Sequence, residues 1–269
     1  MENIKLIAFD LDGTLLNEER ELSDNNIKAI KKILNKNIKI VIATGRPYAG
    51  FSRFLKQLGT LGQGNYSITN TGSIIRENVD NGSIKVNSLS LDDYLLIKSL
   101  TERDNNLHSC IYTDDYIYID EQNPNEAFIL DKNILRMESR RVSSYKNEPI
   151  CRINVMGEEN LLDNFQKENL NVLEEKFATI RNETFSYEIL NKNSSKGKAL
   201  KFLAEYLNID RNQIMAFGDN VNDIEMIEYA GVSVAMGNGK DALKSKADYI
   251  AKPNSEDGVA DFLINYFNI

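Results

Sequence analysis

The chain has 269 residues, 42% of them apolar, enough for one large or two ordinary domains with real cores. Forty Asp and Glu against 32 Lys and Arg leave a net charge of −8, so a generally basic nucleic-acid surface is not indicated, and an anionic ligand would need a local site to attract it. No apolar run approaches the ~20 residues of a membrane span, and one histidine (His108) with two cysteines (Cys110, Cys151) argues against a zinc site or a His-based triad. The first apolar run is too short for a signal-peptide core, so the expected home is the cytoplasm, with both thiols buried and reduced. Any metal would be a hard ion on oxygen ligands, which favours Mg²⁺.

Residues 4–9 form an apolar run that predicts a strand, delivers Asp10 and Asp12, and breaks at Gly13. Alternation puts residues two apart on one side, so the two carboxylates are expected to converge just past the strand end. Open parallel sheets bind ligands at that end. Adjacent carboxylates repel unless a cation or proton offsets them. Residues 23–35 predict a helix with Ser23 as N-cap and Ile27, Ile30 and Leu34 on one face. Residues 38–43 predict a second strand, parallel to the first by the right-handed crossover rule. Thr44-Gly45-Arg46-Pro47 follows, with Pro47 opening a helix that runs to Leu58 and stops at Gly59. The Thr44 hydroxyl, free backbone N–H groups and the helix dipole would suit a phosphate. Short strands are expected at 66–69 and 73–76, around Asn70-Thr71-Gly72.

The middle differs in texture. A turn-rich break at 78–82 precedes a helix opened by Ser90, with Asp93 placed as the acidic arm of a capping box. Residues 107–113 and 116–120 predict a hairpin around Asp114-Asp115. A strand at 150–156, a helix at 158–169 and strands at 177–181 and 185–190 follow, which suggests an α+β insert. Arg136, Arg140 and Arg141 read as a solvated face. Polar residues 191–195 form the return linker, and the joints at 78–82 and 191–194 are the expected hinges. The alternating pattern then resumes: a helix from Ser194 or Ser195 carrying Lys196, a strand at 214–218, a helix at 221–229, strands at 232–236 and 249–251, and a final helix capped by Ser255. Asp219 would end a strand at the same sheet edge as Asp10, if the sheet is parallel.

Four motifs, in this order and spacing, resemble the haloacid dehalogenase-like hydrolase superfamily, and within it the Cof-type branch, subclass IIB. They are D-L-D-G-T-L-L from Asp10, A-T-G-R from Ala43, S-K-G-K-A-L from Ser195 and F-G-D-N-V-N-D-I-E-M from Phe217, with E-D-G-V-A from Glu256 also similar. Thr71 and Asn193 depart from the branch's usual Asn and Gly. The resemblance implies an α/β fold: a Rossmann-like parallel-sheet core at 1–82 and 190–269, with an inserted α+β cap at 83–189 that selects substrate.

It further implies a Mg²⁺-dependent phosphatase of small phosphorylated metabolites, notably sugar phosphates. Asp10 would be the nucleophile, forming an aspartyl phosphate, and Asp12 the general acid and base. Mg²⁺ would be held by Asp10, the Asp12 backbone and Asp219, with Asp223 completing or orienting that shell. Thr44, Gly45, Lys196 and Asn222 would bind the phosphoryl oxygens. Glu188, just before the return linker, is either a site-facing group or an exposed strand carboxylate. The expected partner is a small metabolite, not nucleic acid or membrane, and the expected state a monomer or weak homodimer. A phosphosugar mutase on the same scaffold is the nearest rival. A phosphometabolite sensor is a remote one, because Asp12 is intact and no output domain is visible.

Overall fold

A computed structural model describes residues 4–79 and 82–269. Asp80 and Asn81, in the middle of the expected hinge at 78–82, lie outside the described residues. The chain divides into two compact units. One holds the residues through Gly45, Ser52–Lys85 and Ser195–Ile269, and the other Arg46–Phe51 and Val86–Ser194. Among the described residues, no helix is long and apolar enough to cross a membrane.

In chain order come β1 (Leu6–Phe9), α1 (Asp24–Leu34), β2 (Lys39–Ala43), α2 (Tyr48–Leu58), β3 (Tyr66–Thr69), β4 (Ile74–Glu77) and β5 (Ser83–Val86), all in the first unit except the first turn of α2 and the last residue of β5. Ser23 caps α1, its hydroxyl accepting from the Asn26 N–H at 3.1 Å. The buried face of α1 is Asn26, Ala29, Ile30 and Ile33 rather than the expected Ile27, Ile30 and Leu34. Asn26 is drawn inward because its amide donates to the Leu15 carbonyl at 3.0 Å and accepts from the Ala260 N–H at 3.0 Å. Two distant segments satisfy it, which no local pattern reveals.

The second unit contains α3 (Leu91–Thr101), β6 (His108–Tyr112), β7 (Tyr116–Ile119), α4 (Glu126–Leu135), β8 (Glu138–Arg140), β9 (Arg152–Met156), α5 (Glu159–Lys176), β10 (Phe177–Glu183) and β11 (Ser186–Asn191). Its sheet has the order β10-β11-β9-β6-β7-β8. The Ser90–Asp93 capping box opens α3 as expected. Two elements lack a clear sequence signal: α4, and the edge strand β8. The segment Arg46–Phe51 groups with this unit. The Tyr48 N–H donates to Asp114 Oδ1 at 3.1 Å, and Gly50 lies so close to the Leu135 carbonyl that a Cβ there would be 3.3 Å from it. The three arginines of the expected solvated face stay at the surface, where Arg140 covers the Tyr116 ring and pairs with Glu138, and Arg141 donates to the Asp120 carbonyl. Both cysteines are free and buried.

The chain then completes the first unit with α6 (Lys196–Tyr206), β12 (Ile214–Gly218), α7 (Ile224–Tyr229), β13 (Val232–Ala235), α8 (Asp241–Lys244), β14 (Tyr249–Ile250) and α9 (Gly258–Phe267). Its eight-stranded sheet runs β14-β13-β12-β1-β2-β3-β4-β5. The strands from β14 to β3 are parallel, and β4 is antiparallel to β3. β5 is the edge of this sheet, so the change of unit falls after Lys85 rather than at 83, and the return falls at Ser195 rather than 190. Helices cover both faces, and the central strands are accordingly buried apolar runs. Leu6, Ala8, Val41 and Ala43 pack on Leu200 and Leu203 of α6 and Met226 of α7. On the other face Phe9 stacks on Phe217 with centroids 5.0 Å apart, and Phe217 meets Phe262 of α9 edge-on at 5.4 Å. α9 is preceded by a left-handed Asp257 rather than capped by Ser255, because Gly258 lies against the Lys252 carbonyl, where a Cβ would come within 1.9 Å.

Phe217 is fully buried between two rings beside the strand ends. Phe217→Ala should destabilise the protein by about 3–5 kcal/mol. Urea unfolding followed by far-UV circular dichroism measures it.

Candidate active site

Asp10 follows the last residue of β1, and its N–H donates to the Phe217 carbonyl of the neighbouring β12 at 3.0 Å. Asp219 follows the last residue of β12. Parallel pairing of β1 and β12, with Phe9 opposite Phe217, therefore sets the two aspartates side by side at one sheet edge. After Asp10 the chain turns sharply through Leu11–Leu15, with Gly13 at φ +79°. A Cβ on Gly13 would stand 2.4 Å from Asp219 Oδ2, so only glycine admits both that backbone and that carboxylate. Thr14 Oγ1 donates to Asp219 Oδ1 at 3.0 Å, and Asn238 Nδ2 holds the Gly13 carbonyl at 2.8 Å.

Lys196, the first residue of α6, is buried and donates from Nζ to Asp10 Oδ1 at 2.5 Å and to Asp223 Oδ1 at 2.6 Å. The other oxygen of Asp223 accepts the N–H groups of Asp219 and Asn220, both at 3.1 Å. Gly218 makes this possible, since a Cβ there would lie 2.5 Å from that of Asp223. Ligand atoms of Asp10, Asp219 and Asp223 all lie within 4.8 Å of one another. Burial pushes the Asp10 carboxyl well above its usual range; Lys196 opposes this, while Asp223 and Asp219 add to it. Burial and the charge of Asp223 push Asp219 up to about 6, against Lys196 and its hydrogen bonds. Burial alone would lower Lys196, but Asp10 and Asp223 outweigh it and raise the ammonium's pKa. Three carboxylates thus share one ammonium. The all-oxygen donor set and the uncompensated negative charge fit a hard divalent cation.

The structure redistributes some expected roles. Asp12 is exposed and its carboxylate is not part of the Asp10–Asp219–Asp223 group. β1 ends at Phe9, so strand alternation does not extend to Asp12, and the expected convergence of Asp10 with Asp12 gives way to Asp10 with Asp219 and Asp223. Thr44 is buried just past β2, but its N–H is not free: it donates to the Ile68 carbonyl at 2.8 Å. The Tyr48 N–H, at the start of the helix, is engaged by Asp114. Gly45 follows Thr44, half-buried, in the same loop. Asn222 lies in the turn Val221–Asp223, and its buried Oδ1 has no hydrogen-bond partner. Glu188 is buried rather than exposed and pairs with Arg152 at 3.2 Å within the second unit. The sequence reading missed Asn238, whose only signal is its place between two glycines, and the structural role of Thr14.

Residues 7–263 match the family model described as haloacid dehalogenase-like hydrolase. The chain belongs to the haloacid dehalogenase-like hydrolases. This hydrolase is 34% identical over 260 residues to a Streptococcus pyogenes serotype M6 protein provisionally named a phosphatase, covering 96% of each chain. It is 31% identical over 291 residues to the Bacillus subtilis protein named 5-amino-6-(5-phospho-D-ribitylamino)uracil phosphatase YwtE, covering 97% of each. A crystal structure of a haloacid dehalogenase-like hydrolase from Bacteroides thetaiotaomicron superimposes with a TM-score of 0.90 at 27% identity, covering 98% of this chain and 100% of that one. The hydrolase is an enzyme of the phosphatase class.

The raised carboxyl of Asp219 sets a sign for pH dependence. A carboxyl at about 6 in the fold, against 3.8 when unfolded, binds protons preferentially in the folded state between those values. Chelated wild-type protein should therefore lose thermal stability as pH rises through that window. Asp219→Asn should flatten the slope. Mg²⁺ should raise the unfolding midpoint more at pH 7 than at pH 5, where protons compete for the same oxygens. Equal Mg²⁺ shifts at both pH values would count against metal binding at these carboxylates.

Proposed function

We propose that the protein hydrolyses phosphate monoesters of small polyhydroxylated metabolites, sugar phosphates in the first place, through an aspartyl phosphate on Asp10. The observation that carries this is the buried Asp10 carboxylate at the end of β1, held by Lys196 at 2.5 Å within the three-carboxylate group. An Asp10 oxygen attacks phosphorus; the new P–O bond forms as the bond to the leaving oxygen breaks, and Asp12 gives that oxygen its proton. Asp12, now a carboxylate, takes a proton from water as the water attacks phosphorus, which releases inorganic phosphate and restores Asp10. Its exposed position suits a group that must meet both leaving group and water. Lys196, Thr44, Gly45 and Asn222 bind phosphoryl oxygens, Asn222 by donating from its amide nitrogen.

Asp10, Asp219 and Asp223, with the Asp12 carbonyl, would hold Mg²⁺. Bound there, Mg²⁺ supplies positive charge against the phosphate and the carboxylate nucleophile. The substrate class is supported by the names of relatives such as YwtE, a 5-amino-6-(5-phospho-D-ribitylamino)uracil phosphatase by name, in which the phosphate of the named compound is carried on a ribityl chain. The site needs no partner beyond the metabolite, and the reading places the enzyme in the cytoplasm as a monomer or weak homodimer.

Asp10→Asn should keep its circular-dichroism spectrum and lose essentially all turnover of p-nitrophenyl phosphate. Asp12→Asn should lose ~10²–10⁴-fold. The double variant should be no worse than Asp10→Asn, because the two groups act in one sequence of steps. Wild-type turnover in Asp10→Asn would sink the mechanism. For the substrate class, kcat/KM across phosphorylated sugars, polyols, nucleotides and amino acids should rank a sugar or polyol phosphate first.

A further inference from the structure

Among the described residues, Lys196 is the ammonium that pairs with this carboxylate group, and it stands on the first turn of α6. That turn is held on both sides by close backbone approaches and, at its N-cap, by a side-chain hydrogen bond. On one side is the turn Asn70–Gly72, where Asn70, Thr71 and Gly72 have φ of +49°, +54° and +93° and are all buried. A β-branched residue such as Thr71 is an outlier in the left-handed region. Such strain persists only where the surroundings over-determine it, and it points from an observed outlier to a function. What the strained turn accomplishes is a close approach. A Cβ on Gly72 would lie 2.2 Å from the Ser195 carbonyl oxygen and 2.9 Å from its nitrogen, so the two backbones are in direct contact. The same turn ties down the Thr44 loop, the Thr71 N–H donating to the Thr44 carbonyl at 3.1 Å.

On the other side is α7. A Cβ on Gly197 would lie 2.4 Å from the Glu225 Cβ and 2.5 Å from its carbonyl carbon. Ser195, the N-cap of α6, donates its hydroxyl to Glu225 Oε2 while accepting from the Lys198 N–H at 3.0 Å. Glu225 is itself exposed and belongs neither to the three-carboxylate group nor to Lys196's partners.

We propose that Gly72 and Glu225 are positioning residues for Lys196, clamping the first turn of α6 between the turn Asn70–Gly72 and α7. This rests on Lys196 being a phosphoryl-binding group, as read above. The clamp fixes the ammonium where charge grows on the phosphoryl oxygens, an effect larger in the transition state than in the bound substrate. Its loss therefore lowers kcat more than it alters KM.

The test uses the full-length, Mg²⁺-loaded enzyme and p-nitrophenyl phosphate. Glu225→Ala should lower kcat on the order of tenfold or more, since small misplacements of catalytic groups are that costly. KM should change much less. Its unfolding midpoint should stay within about 2 °C of wild type, as for an exposed substitution. Glu225→Gln, which keeps an acceptor for the Ser195 hydroxyl, should restore most of kcat. Ser195→Ala should lower kcat too, and combined with Glu225→Ala it should add little, because both remove one contact. Gly72→Ala should be the most damaging if it folds. Unchanged kcat in Glu225→Ala, equal loss in Glu225→Gln, or a loss that tracks the unfolding midpoint would overturn the clamp. Lys196→Met separates the two levels: full turnover there overturns the reading of Lys196 itself, whereas an inactive Lys196→Met beside a normal Glu225→Ala overturns the clamp alone.

Discussion

One buried ammonium among three carboxylates is the constraint around which the first unit is organised. Lys196 reaches both Asp10 and Asp223, and Asp223 in turn holds the N–H groups of Asp219 and Asn220. Desolvating four charges is expensive unless each finds a partner, and one ammonium cannot neutralise three carboxylates. The residual strain appears as the upward pressure on Asp10 and Asp219. A fold does not keep such an arrangement for stability, since well-packed apolar groups would do as well or better. It is a site kept short of positive charge, which is the condition for taking up a cation.

The geometry that allows this is made by glycines at backbone contacts. Gly13, Gly218, Gly72 and Gly197 each stand where any Cβ would come within 2.5 Å of a neighbour, at Asp219, Asp223, Ser195 and Glu225 respectively. The residues of the candidate site are thus carried on loops and helix starts pressed together at main-chain distance. Such contacts are stiff, because backbone cannot rotate away as a side chain can, and positional precision is what phosphoryl chemistry demands. The parallel sheet supplies the frame. Phe9, Phe217 and Phe262 pack beneath the strand ends that carry Asp10 and Asp219.

The second unit follows a different logic. Its sheet has an apolar core on one face, under α3 and α5, including Tyr94, Ile111, Ile153 and Leu162. The other face, under α4, mixes apolar residues with a buried polar network. There Tyr112 donates to Asp131, and Arg152 covers the Tyr112 ring at 4.4 Å while pairing with Glu188. That network accounts for the burial of Glu188 without reference to catalysis.

The strands β1, β2 and β12, the helices α1, α6 and α9 and the Ser90 capping box were legible in the sequence. Their signals are local: apolar runs for a sheet buried on both faces, capping residues, and glycine after a helix. Asp10, Lys196, Asp219 and Asp223 were legible as members of motifs. Their meeting at one point was legible only through the family resemblance, because pairing between β1 and β12 spans most of the chain. The tertiary structure alone decided that the Asp12 carboxylate stays outside the group that Asp10 forms with Asp219 and Asp223. It alone decided that the Thr44 N–H is spent on the sheet, that Asn26 is core, that Arg46–Phe51 groups with the insert, and that α4 forms where no periodicity announces it. The division has one physical cause. Periodicity and capping act over a few residues and are written in order along the chain, whereas hydrogen-bond partners, close backbone contacts and the electrostatic balance of buried groups depend on which distant residues arrive beside them.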